Sequence, residues 1–171
     1  MGSSGDFSLE ALHAAVDAQR RARGLTWAGA VREIGRASER AGRRLSLSTV
    51  KGVGTRTVAE GDGVLQMLRW LNRAPESFML GGPRVDEAVA LLPHVPPDKV
   101  LRFDTRKMYA ALDARRAERD LTWLQVAKET GSSVQGLTRL SKGGRTVFPA
   151  VIRIVGWLGE PASRFTRVSD L

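Results

Sequence analysis

The sequence predicts an all-α protein built from two tandem helical domains, and three observations carry that expectation. Residues Leu121–Gly143 read as two short amphipathic helices joined by a tight turn. The first half of this pattern recurs upstream: Phe7–Gly35 and Phe103–Gly131 match at a constant offset of 96, with 12 of 29 positions identical. Strand signals are nearly absent, with no Asn-Gly or Asp-Gly hairpin turn between alternating runs. Asp62-Gly63 is read as a loop before a helix over Val64–Leu71. The domains are placed at residues 6–80 and 98–171, with 81–97 as a connector bounded by Gly81-Gly82-Pro83 and Pro93-His94-Val95-Pro96-Pro97. Arg84–Leu92 is expected to add two helical turns, and the Pro-rich end to be stiff. Met1–Gly5 is small and polar, has no signal-peptide core, and is set aside as a vector-derived remnant.

In the second repeat a first helix is expected over Thr105–Arg119, with Asp104 as N-cap and Met108, Ala111, Leu112 and Arg115 at helical spacing. A second helix follows over Trp123–Thr130. Thr122 caps it, Gln125 completes a capping box, and Gly131 ends it. Ser133 caps a third helix over Val134–Ser141, which stops at Lys142-Gly143-Gly144. A closing helix over Pro149–Leu158 buries Val151, Ile154, Val155 and Leu158. The first repeat enters its second helix at Trp27-Ala28-Gly29-Ala30-Val31, but nine extra residues intervene before Val50 can be matched to Leu137. That helix is therefore expected to run through Arg36–Ala41, with Gly42-Arg43-Arg44 as an enlarged turn.

The net charge of +9 and pI near 11.1 point to a polyanionic partner. Both repeats are basic and the connector is not, and 22 arginines stand against 5 lysines. Guanidinium forks suit bidentate contacts to phosphate and guanine. No run is apolar enough to span a membrane, and the absence of cysteine fits a reducing cytoplasm. His13 and His94 lie apart, without acidic partners at ligand spacing, so neither a metal nor another cofactor is expected. Gly52-Val53-Gly54 follows a helix rather than a strand and is no nucleotide loop, and no motif sets a nucleophile beside a base, so the chain is not read as an enzyme.

A helix-turn-helix reads DNA when its third helix offers hydrogen-bonding side chains to the major groove. With Val126 and Ala127 inside the second helix, and Leu137 and Leu140 packing the third, the outer face is left with Val134, Gln135, Thr138 and Arg139. Gln bonds adenine, Arg bonds guanine, and Val or Thr methyls touch thymine. In the first repeat the corresponding candidates are Ser48, Thr49 and Lys51, while Gly52 replaces Arg139. Trp70 and Trp157, on the closing helices, read as core anchors or interface residues. Arg20-Arg21 and Arg115-Arg116 are left open between solvated helix faces and phosphate contacts.

Leu121, Thr122, Val126, Ala127, Gly131, Ser133, Leu137, Arg139, Leu140 and Gly143 fall in register with the pattern L-T-x-x-x-[LV]-A-x-x-x-G-x-S…[IL]-x-R-[LW]-x-x-G. The segment thus resembles the Cro/CI-type (Xre-like) helix-turn-helix family, and Trp157-Leu158-Gly159 resembles the close of its short actinobacterial members. The resemblance implies two lambda-repressor-like domains, a nucleoid-associated cytoplasmic protein, double-stranded DNA as partner, and a bacterial or phage regulator. It implies phosphate contacts at Thr122, Trp123, Ser133, Lys142, Arg145 and Thr146, and in the first repeat at Thr26, Arg43, Arg44, Ser46 and Arg56. Trp123 departs from the family, which often has Gln there; its indole either bonds phosphate or serves the core or an interface. A sequence-specific regulator reading two unlike half-sites is the leading expectation. The alternatives are a protein-interaction module such as an antitoxin or accessory factor, and an architectural nucleoid protein. Homodimer, intramolecular pseudo-dimer and a protein partner all stay open.

Overall fold

The computed structural model describes residues 6–40, 45–80 and 90–170, the side chains of 37–40 excepted. The expected helix over Arg84–Leu92 falls mostly outside the described residues, as do Met1–Gly5, the turn Gly42-Arg43-Arg44 and Gly81-Gly82-Pro83. The chain is mostly helical. The first half carries α1 (Leu9–Ala22), α2 (Trp27–Arg40), α3 (Leu47–Lys51) and α4 (Gly61–Leu71); the second carries α5 (Thr105–Glu118), α6 (Trp123–Thr130), α7 (Val134–Arg139) and α8 (Ala150–Leu158). Short 3-10 turns follow α3 and α7 at Val53–Thr55 and Leu140–Lys142, and follow α4 and α8 at Pro75–Phe78 and Ala162–Phe165.

Helix ends obey local chemistry. Ser8 and Asp104 accept from Ala11 N and Lys107 N at the starts of α1 and α5. Ser46 and Ser133 accept from Thr49 N and Gly136 N at the starts of α3 and α7. Thr122 and Gln125 form the reciprocal capping box of α6. Asn72 and Gly159 end α4 and α8 in the left-handed region, at φ 52° and 69°. Beyond α2 the equivalences run at an offset of 87 rather than 96; of the nine extra residues six lengthen α2, which has 14 residues against 8 in α6 and so runs past Arg36 as expected, and three lie between α2 and α3.

The expectation of a wholly α-helical chain is modified, among the described residues, by three two-stranded antiparallel sheets. In each half the strand before the first helix pairs with the strand after the last: β1 (Asp6–Phe7) with β3 (Met79–Leu80), and β4 (Lys99–Phe103) with β6 (Thr166–Asp170). The third sheet joins the halves, β2 (Ala59–Glu60) with β5 (Val147–Phe148). Four of the six strands have two residues, too few to show alternation, and every pairing spans the chain without a hairpin turn. A second correction concerns Asp62-Gly63: they lie in the first turn of α4, which starts at Gly61, not in a preceding loop.

The β2–β5 register has a particular symmetry. Glu60 pairs with Val147, its own counterpart at the offset of 87, which puts an approximate twofold axis through that pair. Gly61 N donates to Thr146 O at 2.8 Å on the same seam. Phe148 is fully buried there, its ring 4.6 Å from Phe7 and 5.7 Å from Phe103. The residue equivalent to Phe148 is Gly61, and it has to be small: a Cβ there would stand 2.9 Å from the Phe103 ring. One continuous core results, running from Leu12 and Leu68 through Phe148 to Leu112 and Phe165.

A carboxylate also crosses the seam. Glu76 accepts from Ala162 N at 2.6 Å through Oε1, while its Oε2 is buried without a partner among the described residues. Burial raises its pKa above the ordinary glutamate range, against the opposing effect of that N–H.

Two outcomes follow from the seam. Phe148→Ala is expected to cost about 3–5 kcal/mol, with the chain still melting in a single transition by calorimetry, because both halves lose the same core. For Glu76 the folded pKa is raised, so its favourable contribution is complete below the ordinary glutamate pKa and is lost as pH rises through the folded value. Glu76→Gln should therefore raise the melting temperature at pH 7, and the gain should vanish on acidification below pH about 4.

Candidate nucleic-acid interface

The identical residues of the two repeats build the same clamp twice. Arg20 donates to Asp17 Oδ1 at 2.6 and 2.9 Å and to Leu25 O at 2.7 Å. Arg116 donates to Asp113 Oδ1 at 2.7 and 2.9 Å and to Leu121 O at 2.9 Å. Each guanidinium also covers the indole that opens the next helix, Arg20 over Trp27 at 4.9 Å and Arg116 over Trp123 at 5.2 Å. Each indole also stacks on an aromatic ring: Trp27 on His13 at 5.4 Å, Trp123 on Tyr109 at 5.0 Å. Both tryptophans thus fasten the start of α2 or α6 to the preceding helix, the structural side of the alternative left open for Trp123.

A second duplicated clamp holds the middle of α2 and the last turn of α6. Glu33 accepts from Arg23 at 2.5 Å and from the Trp70 indole N–H at 3.0 Å. Glu129 accepts from Arg119 at 2.8 and 3.2 Å and from the Trp157 indole at 2.6 Å. Arg23 and Arg119 lie over the same indoles. The indole N–H holds the Glu33 carboxyl below the usual range, and Arg119 does the same for Glu129. These contacts assign Trp70 and Trp157 to the framework. They also take Arg20 and Arg116 out of the pool of free surface cations, whereas Arg21 pairs with Asp17 at 2.7 Å from a largely exposed position and Arg115 reaches Leu158 O. The sequence carried the signal in the identical Asp17/Asp113, Arg20/Arg116, Arg23/Arg119 and Glu33/Glu129.

Held at both ends, α6 hands the chain to α7 through Gly131, left-handed at φ 63°, with Ser132 N donating to Ala127 O at 2.8 Å. Leu137 and Leu140 are buried beneath α7, and Val134 is half-buried against the core. Gln135 and Arg139 are exposed, and neither side chain has a protein partner among the described residues. Thr138 is half-buried and donates its hydroxyl to Gln135 O at 3.3 Å. The outward face of α7 is therefore narrower than the four candidates, and is led by Gln135 and Arg139.

Around this face, Thr122 and Ser133 are exposed while serving as N-caps. Lys142 is exposed, Thr146 half-buried, and Arg145 exposed but paired across the seam with Glu60 at 3.3 Å. In the first half, Thr26 accepts from Gly29 N at 3.1 Å. Ser46 lies 3.0 Å from the Ser48 hydroxyl and 2.6 Å from that of Thr49, so these two candidates turn back on the cap. Lys51 and Arg56 are exposed, Leu47 is 45% exposed, and Arg43 and Arg44 fall outside the described residues. Among the described residues no three His, Cys, Asp or Glu converge as for a metal, and no helix is long and apolar enough to cross a membrane.

Comparison of the chain with family models, curated proteins and solved structures gives no match.

The caps that orient the short helices should be measurable by themselves. Ser133→Ala is expected to lower stability by about 1 kcal/mol, with Ser46→Ala comparable, in urea unfolding. A loss at Ser133 below the error of the measurement would remove its capping role.

Proposed function

We propose that this protein is a sequence-specific, double-stranded DNA-binding transcriptional regulator of the Cro/CI type, reading two non-identical half-sites with one chain. The observation that carries the proposal is the exposed, partner-free pair Gln135 and Arg139 on a short helix whose supporting helix is clamped at both ends. Gln and Arg two-pronged contacts to adenine and guanine suit such a face. The approximate twofold through Glu60 and Val147 supports the reading of one chain as a pseudo-dimer, since it relates α3 to α7 as two subunits would be related. The unlike faces of those helices favour an asymmetric operator: Gln135 and Arg139 on one side, Leu47 and Lys51 on the other. The positive charge of +9 supports a polyanionic partner.

Exposed Leu47 favours a second reading for the first half alone, as a surface that docks a partner protein. A selection from random duplex DNA at fixed salt separates the two. An enriched site with two unlike half-sites supports double readout. Enrichment of a single half-site assigns DNA to the second half and leaves the first for a protein.

Arg139→Ala is expected to weaken the selected site by about 1–3 kcal/mol and random duplex by much less. Equal losses on both would reject base reading by Arg139, and failure to enrich any sequence would reject the proposed function.

A further inference from the structure

Beside the loop Gly143–Thr146 lies a cleft of about 240 Å³ lined by Asp62, Arg102, Thr105, Arg145 and Arg167. It adjoins a second cleft of about 350 Å³ that Arg106 and Arg167 line. Arg102 and Arg167 face one another directly across the β4–β6 ladder. Cross-strand partners share a face of the sheet, and like charges placed so are destabilising. No carboxylate lies within 4.0 Å of either guanidinium among the described residues. Among the described residues, Arg102 Nε is buried without a hydrogen-bond partner, and Arg167 bonds only the Ser169 hydroxyl, at 2.8 Å. The nearby carboxylates are committed elsewhere. Glu60 pairs with Arg145 at 3.3 Å, Asp62 accepts from Phe103 N at 3.3 Å, and Asp104 caps α5.

The duplication supplies an internal control. At the positions of Arg102, Arg106, Arg145 and Arg167 the first half has Asp6, Glu10, Val58 and Leu80. The cluster is absent from the twofold-related place, so it is not a requirement of the fold. It occurs in the half whose α7 carries the better-formed reading face.

We propose that Arg102 and Arg167, with Arg106 and Arg145 beside them, form a binding site for a phosphate group, which relieves the repulsion between the paired guanidiniums. Guanidinium forks match the geometry of phosphate oxygens, and the cleft volumes admit one phosphate with part of the molecule bearing it. Two sources present this chemistry: a DNA backbone phosphate beside the loop Lys142–Thr146, and a free phosphorylated small molecule. The first rests on the DNA-binding reading; the second does not.

The test melts the full chain in chloride and in about 10 mM inorganic phosphate at equal pH and ionic strength. Phosphate is expected to raise the melting temperature by about 2–4 °C. Arg167→Gln should melt no lower than the native chain in chloride, because it removes the repulsion, and should lose the phosphate-dependent rise. Arg102→Gln, as a second variant, should lose it too, and Arg21→Gln should keep it. A second arm measures binding to a fixed duplex against salt. A slope lowered by about 1 in Arg167→Gln assigns the site to a backbone phosphate. An unchanged slope, with the phosphate-dependent rise lost, assigns it to a free phosphorylated molecule. The proposal is overturned if phosphate gives the native chain no rise and Arg167→Gln leaves the slope unchanged, or if the rise persists in both arginine variants. Failure of the native chain to bind any duplex would reject the DNA reading and leave the phosphate arm intact.

Discussion

The burial of Phe148 on the seam between the halves is the constraint on which the rest of the structure depends. A unit of roughly 70–80 residues has a small core and limited apolar area to bury. Here neither half has to rely on its own. Phe148 from one repeat fills the space between Phe7 and Phe103 of both, and Gly61 opposite leaves room for Phe103. The two-residue β2–β5 ladder then fixes the register at which the halves meet. Because Phe148 and Ala59 are buried on that seam and paired in register, the relative placement of α3 and α7 is set by the core rather than by the linking segment.

Within each half the repeat has kept framework and changed surface. Asp17, Arg20, Trp27, Arg23, Glu33 and Trp70 form contacts that Asp113, Arg116, Trp123, Arg119, Glu129 and Trp157 form again, atom for atom in most cases. These residues tie three helices together with charge-assisted bonds and stacked indoles, and replacing one partner would leave the others unpaired. The outward positions carry no such coupling. Gln135 and Arg139 have become Ser48 and Gly52 in the other half, and the arginine cluster beside β4–β6 occurs in one copy only. Duplicated scaffold with diverged faces is a physical route to one chain contacting two unlike surfaces.

Much of the helical framework was legible along the chain because its signals are local. Thr122 and Gln125, Gly131, Ser133 and Gly143 sit within a few residues of the backbone groups they satisfy, so α6, α7 and their turn could be bounded almost to the residue. The match of Val50 to Leu137 was legible as well, and the equivalent caps at Ser46 and Ser133 bear it out. Strands of two residues carry no period, and so β1, β2, β3 and β5 were missed; β4 and β6, five residues each, were missed as well, because neither alternates cleanly between buried and exposed positions. The start of α4 was misread because Gly61-Asp62-Gly63 is loop-like by composition, yet Gly61 is drawn into the helix where Phe103 packs on it.

Of the candidate site, the sequence by itself determined which residues belong to α7 and that the second copy would differ there. It also held the clamps, in the charged identities of the repeat, without revealing what those charges touch. That Ser48 and Thr49 bond their own cap is a local arrangement that the sequence left unread; only the tertiary structure decided that Thr138 is partly covered and that Trp123 stacks on Tyr109 and lies under Arg116. It alone brought Arg102 opposite Arg167, across 65 residues of chain. Helix caps and turns act over a few residues and are written in local sequence. Twofold pairing, shared burial and the meeting of like charges depend on contacts between distant segments, and those form only once the two halves close on one core.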